Sequence, residues 1–244
     1  MKSTEKVPLT DKAADIRKMF NAIAPRYDFL NHFLSLGADR LWRRFAVSKV
    51  KYADANRETA LILDVATGTG DLAFEIASQT PETVKIIGID FSEDMIELAV
   101  KKLKKTRHSG RIKFEAGECE AIQYPEDTFD TVTIAFGIRN LVDRARGLSE
   151  IKRVLKPGGK VLILELSNPK PAIFKSLYYF YFRRILPRVG SMFSAGSAYR
   201  YLPASVIEFP SAQDFSRLMS SVGFKSVTYH ELSFGIATLF IGHK

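Results

Sequence analysis

The sequence predicts an α/β fold, a mostly parallel sheet wound with helices, and three observations predict it. Leu61, Ile62, Leu63 and Val65 read as a buried strand, which runs into glycines and then into Leu72, Ala73, Ile76 and Ala77 at helical spacing. A second apolar run, Lys85 to Asp90, ends on an acid and is followed by another helical pattern. A third strand-like segment, Phe129 to Phe136, leads through a helix at Ala145–Leu155 and the breaker Lys156-Pro157-Gly158-Gly159 to the strand Val161–Glu165. Strands alternating with helices place parallel strands in one sheet.

The remaining elements follow in chain order. Residues 1 to about 10 are polar, and from Asp11 the spacing of Ile16, Met19, Phe20 and Ile23 marks an amphipathic helix that Pro25 stops. Tyr27, Leu30, Phe33 and Leu34 continue as a second helix, and Leu41, Trp42 and Phe45 as a third. Together they make a helical N-terminal cap over residues 10–50, with Tyr27 the residue expected to point into a site beneath it. Ser92 is suited to cap the helix over Glu93–Ala99, and Ile112–Phe114 is a short strand. Near the end, a helix at Ala212–Val222 passes through Gly223-Phe224 into strands near Ser226–His230 and Ile236–Gly242, an antiparallel hairpin at the sheet edge.

The glycine turn is where a ligand belongs. Gly68 and Gly70 lack a Cβ, so the backbone can adopt positive φ and a ligand can approach, while the helix that follows offers unpaired N–H groups. Gly68-Thr69-Gly70-Asp71-Leu72-Ala73 also fits the dinucleotide pattern, so a nicotinamide cofactor and an adenosyl sulfonium compete for it. Either one uses Asp90, twenty residues after Gly70, to accept the hydroxyls of an adenosine ribose. Asp64, four residues before Gly68, and the order of the later segments favour the second: Asp64 to Gly70 resembles the first motif of the S-adenosylmethionine-dependent methyltransferases of the Rossmann-like class.

Composition bounds the rest. The 244 residues, 46% hydrophobic and 26% charged, suit one globular domain with insertions. A single cysteine, Cys119, excludes an internal disulfide framework, and four scattered histidines have no metal-ligand spacing, so no metal is expected. The polar start and the lack of a long apolar run predict a cytoplasmic protein without a membrane span. The net charge of +9 implies an anionic partner, nucleic acid or acidic lipid. Between Glu165 and Glu208 there is no acid, only Lys170, Lys175, Arg183, Arg184, Arg188 and Arg200, interleaved with Phe174, Tyr178 to Phe182, Phe193, Tyr199 and Tyr201. Such a segment, over 166–205, suits an anionic membrane at its headgroup level, a tunnel for a long apolar tail, or RNA stacking.

Two further runs resemble one family. Tyr27-Asp28-Phe29-Leu30-Asn31-His32 through Trp42, and Arg139-Asn140-Leu141-Val142-Asp143 after Phe136-Gly137, are similar to the two signatures of the quinone-biosynthesis C-methyltransferases, which methylate demethylmenaquinone or the ubiquinone precursor. Tyr199 to Val206 and Phe209-Pro210-Ser211 match it again. Leu30 and Asp39 depart from the pattern, and Asp39 is assigned no role because the change removes an aromatic ring and adds a charge. The resemblance implies a class I methyltransferase: one domain over 1–244, a mostly parallel seven-stranded sheet with the antiparallel C-terminal hairpin, and a helical insertion after the fifth strand. It implies S-adenosylmethionine as cofactor, with Asp64, Thr67, Gly68, Gly70, Asp90, Phe91, Met95, Glu118, Cys119 and Ala135 around it. Glu118 would accept from the adenine amine, while Cys119 reads as a small buried packing residue. Arg139, Asn140 and Tyr27 would form the catalytic group, with Arg139 the cation that favours a phenolate, or else an ion pair to Asp143 or another cap carboxylate. The substrate implied is a polyprenyl quinol, most simply demethylmenaquinol, with the ubiquinone precursor as alternative and no nucleic acid partner. Membrane contact at the inner face and self-association are left open. An oxidoreductase using NAD, or an RNA methyltransferase, are the competing readings; the first lacks an evident catalytic His or Tyr-x-x-x-Lys pair.

Overall fold

A computed structural model describes residues 9–24, 32, 35–50, 60–169 and 196–244. In chain order these form α1 (Leu9–Ile23), α2 (Ala38–Ser48), β1 (Leu61–Val65), α3 (Asp71–Gln79), β2 (Lys85–Asp90), α4 (Glu93–Leu103), β3 (Ile112–Ala116), β4 (Phe129–Ala135), α5 (Arg144–Val154), β5 (Leu155–Leu166), α6 (Gly196–Glu208), α7 (Ala212–Ser221), β6 (Lys225–Leu232) and β7 (Ala237–His243). Tyr27, most of the second predicted helix and the aromatic run of the insertion lie outside the described residues; the final part of the insertion is the start of α6.

The seven strands form one sheet in the order β3-β2-β1-β4-β5-β7-β6. The first five pair in parallel, and β7 runs antiparallel between β5 and β6. The chain therefore builds outward from β1 in one direction to β3 and in the other from β4, which opens a crevice above the carboxyl ends of β1 and β4. The predicted hairpin is present, with β6 at the edge. β5 begins six residues before the predicted Val161, because Leu155 already pairs with Phe129; the register then skips to Thr131 opposite Lys160, so the glycine-containing breaker bulges out instead of ending the strand.

The central strands β1 and β4 are buried on both faces, which is why these runs read as near-continuous hydrophobic stretches. On one side Leu63, Val65, Val132 and Ile134 pack with Leu148 and Ile151 of α5 and Phe215 and Met219 of α7. On the other, Ile62, Ile86 and Leu164 pack with Trp42 of α2, with the predicted α3 face of Leu72, Ala73, Ile76 and Ala77, and with Ala99 of α4. Ser92 caps α4 as expected, accepting from the Met95 N–H at 3.2 Å, with Glu93 and Asp94 in the first turn and Lys101 and Lys102 in the last. No helix among the described residues is long and apolar enough to cross a membrane.

Candidate active site

Both central strands leave the sheet through strained backbone. After β1, Ala66 has φ 51°, Gly68 56° and Gly70 88°; after β4, Phe136 has φ 58°. For alanine and phenylalanine such angles cost on the order of 1–3 kcal/mol each and persist only where the surroundings enforce them. The surroundings do so here. Phe136 donates its N–H to Leu164 O at 2.7 Å, and its carbonyl accepts from the Arg139 guanidinium and from Asn140 Nδ2 at 3.4 Å. The two exits touch: a Cβ on Gly137 would lie 2.6 Å from that of Ala66.

Asp90, at the end of β2, fastens the turn after β1. Its Oδ2 accepts from the Gly68 N–H at 2.8 Å and its Oδ1 from the Ser92 N–H at 2.9 Å. Burial raises its pKa against those two bonds, and a carboxylate has lone pairs left for a ligand's hydroxyls. Asp64 is more enclosed. Burial pushes its carboxyl up to about 6, opposed by hydrogen bonds from Thr67 Oγ1 at 2.6 Å and Thr133 Oγ1 at 2.8 Å.

A hollow of about 860 Å³, mouth included, opens between these exits. Of the residues predicted from sequence, Gly68, Asp90, Phe91, Met95, Glu118, Cys119, Ala135 and Asn140 all line it. Helix α1 roofs it with Ile16, Arg17 and Phe20; the Phe20 ring meets that of Phe91 edge-on, and Arg17 pairs with Glu118 at 2.6 Å where both are about half exposed. Asp64 and Thr67 border an adjoining smaller hollow that shares Ala66, Gly68, Ala135 and Phe136. Gly70 borders neither: it caps α3, where an added Cβ would strike the Phe114 ring at 2.6 Å. The raised pKa of the buried Cys119 thiol fits packing rather than reactivity.

Arg139 sits behind the wall of the hollow. It pairs with Glu165, Nη1 to Oε1 at 2.7 Å, and its backbone N–H donates to the other carboxylate oxygen at 3.1 Å. No sequence motif marks Glu165; the one available signal is a lone acid closing four apolar residues, at the strand end where such folds keep their chemistry. Tyr201 of α6 was also given no separate part, yet its hydroxyl reaches Asn140 Oδ1 at 3.1 Å. Nor is Asp39 idle, and the expectation of no role is corrected. It is buried, accepts from Ser35 Oγ at 2.6 Å and Arg43 Nη1 at 2.7 Å, lies 2.7 Å from His32 Nδ1, and through Arg43 is tied to Asp71 at the start of α3. The added charge is tolerated because it arrives with a cation and two further polar partners. Among the described residues no cluster suited to a metal ion occurs.

Comparison with known proteins agrees with this geometry. The model of the ubiE/COQ5 methyltransferase family matches residues 8–244. The ubiquinone/menaquinone biosynthesis C-methyltransferase UbiE of Geotalea daltonii is 56% identical over 236 residues, covering 97% of this chain and 99% of that one. The demethylmenaquinone methyltransferase of Deinococcus radiodurans is 43% identical over 235 residues, 96% and 94% of the two chains. Among solved structures, a putative S-adenosyl-L-methionine-dependent methyltransferase of Methanococcus maripaludis aligns with a TM-score of 0.66 over 100% of this chain and 97% of its own at 18% identity, a likeness of fold.

Proposed function

Because the chain belongs to the ubiE/COQ5 methyltransferase family and is an S-adenosylmethionine-dependent C-methyltransferase of quinone biosynthesis, we propose that its substrate is demethylmenaquinol and its product menaquinol. The observation that carries the reading is one hollow joining a buried acid, Asp90, to an amide, Asn140, across the exits of β1 and β4. Its residues fit the cofactor: a carboxylate with lone pairs to spare suits a ribose diol, and the walls beside it, Phe91, Met95 and Cys119, suit an uncharged purine.

The cofactor supplies an electrophilic methyl group whose leaving group is a neutral thioether. The residues of the chain hold and orient. Asp90 would take the ribose hydroxyls and Glu118 the adenine amine, and Asp64, Thr67, Gly68, Gly70 and Ala135 shape the turn that would hold the remaining part. Asn140 contacts the quinol oxygen beside the reacting carbon, and Arg139, through Glu165 and the Phe136 carbonyl, positions the turn that carries it. As the phenolic proton leaves, electron density rises on that carbon. That carbon would take the methyl group, and loss of its ring proton would restore aromaticity. Stabilising the phenolate and aligning the three reacting atoms are the protein's share of the rate. A water or Tyr27 remains the proposed proton relay, and the basic 166–205 segment the proposed contact with anionic lipid.

The test is incubation of the purified chain with methyl-labelled S-adenosylmethionine and, separately, demethylmenaquinol and 2-polyprenyl-6-methoxy-1,4-benzoquinol, read by mass spectrometry. Faster labelling of the naphthoquinol is expected. Preference for the benzoquinol would replace the substrate, and labelling of neither would end the proposal.

A further inference from the structure

Asn140 has two ends, and the structure engages each with a different partner. The Phe136 carbonyl can only accept, so the amide atom 3.4 Å from it is the nitrogen, Nδ2. The amide oxygen then faces the Tyr201 hydroxyl at 3.1 Å. Around that hydroxyl stand Arg139, Glu165, Arg144 and Glu208, and burial raises its pKa, so at neutral pH it is protonated and donates. With its oxygen engaged by Tyr201 and one N–H turned to Phe136, the amide has its second N–H for the hollow that Asn140 lines.

We propose that Tyr201 is a positioning residue that locks the Asn140 amide so that it presents an N–H donor to the ionising quinol oxygen. The inference rests on the quinol reading above and deepens it. A donor there favours phenolate over phenol, the direction the reaction needs, whereas a rotated amide would present its oxygen and repel the same charge. Tyr201 belongs to α6, whose start is the last part of the insertion, so the placement of that helix and the polarity of the site are linked through one hydrogen bond.

The test uses 1-naphthol, a ring hydroxyl beside an open carbon, bound to the full chain saturated with S-adenosylhomocysteine so that no turnover intervenes. The ionisation of the bound naphthol is followed by absorbance against pH in the wild type, Tyr201→Phe, Asn140→Ala and the double variant, each first shown to keep its thermal midpoint and its affinity for S-adenosylhomocysteine. The wild type is expected to lower the naphthol pKa below its value in water. Tyr201→Phe and Asn140→Ala should each raise the bound value by about half to one unit, a threefold to tenfold loss of phenolate preference. The double variant should go no further than Asn140→Ala, because Tyr201 acts through the amide. A bound pKa unchanged in Tyr201→Phe, or additive shifts, would overturn the inference alone. Failure of naphthol to bind the wild type would overturn the quinol reading beneath it.

Discussion

Arg139 and Glu165 form an ion pair at 2.7 Å in which the two side chains are 6% and 0% exposed. Glu165 also accepts from the Arg139 backbone N–H at 3.1 Å, so β5 grips the turn after β4 at two points. Removing one partner leaves the other charge in the interior, a loss of about 3–5 kcal/mol. Arg139→Ala is expected to lose about that much stability in urea denaturation. Arg139→Lys should lose less, since it keeps the charge but not the planar fork. A drop in turnover in Arg139→Ala therefore reports folding as well as chemistry, and only a variant of wild-type stability can separate them. An Arg139→Ala chain within about 0.5 kcal/mol of wild type would show that the pair is not holding the turn.

Asp64 gives stability a defined pH dependence. Its folded pKa of about 6 lies above the unfolded value near 4, so the folded chain keeps a proton that the unfolded chain releases. The resulting stabilisation is complete below about pH 4 and is lost as pH rises through about 6; two units correspond to about 3 kcal/mol. Asp64→Asn cannot titrate. Relative to that variant, the wild type is expected to lose about 2–3 kcal/mol between about pH 4 and 7 when both are unfolded in urea. Parallel curves would mean that Asp64 titrates alike in both states.

How much of this was legible from residues alone depends on whether a local signal existed. The turn at Gly68 and Gly70 and the acid at Asp90 carry fixed spacing between strand and helix, and the structure brings Gly68 and Asp90 into direct contact at 2.8 Å. Glu165 and Tyr201 had no such pattern. Their partners Arg139 and Asn140 come from other elements, so pairing emerges only once the elements are placed, whereas Asp39 and Arg43 stand at i,i+4 spacing in one helix and only their burial was hidden. The left-handed conformations at Ala66 and Phe136 were equally invisible, because neither residue prefers them. The early start of β5 was hidden by a proline and two glycines that ordinarily end a strand and here form a bulge.

Gly137 is where the two exits depend on a missing side chain. Its φ of −109° suits any residue, so the constraint is steric: an added Cβ would stand 2.6 Å from the Ala66 Cβ, and neither atom is the end of a flexible chain. Gly137→Ala is expected to cost about 1–3 kcal/mol and to force the exits apart. Since Ala66 and Gly137 both line the hollow, affinity for S-adenosylhomocysteine should fall with stability. Gly110→Ala, where an added Cβ meets nothing within 4 Å, is the matched control and should change neither in calorimetric titration and thermal melts.

Asp90 and Glu118 face the same hollow from opposite conditions, and titration of S-adenosylhomocysteine into variants of each can rank them. Asp90 is 5% exposed and holds two backbone N–H groups, so Asp90→Ala removes charge-assisted bonds worth about 1.5–3 kcal/mol each and loosens the turn with them. Glu118 is 56% exposed and paired to Arg17 in water, where such interactions contribute about 0–1 kcal/mol. Asp90→Ala is expected to weaken binding about a hundredfold or more, and Glu118→Ala about threefold, on a scale of 1.4 kcal/mol per factor of ten. Because α1 leans on Glu118 through Arg17, Arg17→Ala should match Glu118→Ala if the carboxylate serves mainly to seat the helix, and should be weaker if it also holds the purine amine. Equal losses for Asp90→Ala and Glu118→Ala would move the ribose contact away from β2, because a half-exposed acid cannot match a buried one making the same bond.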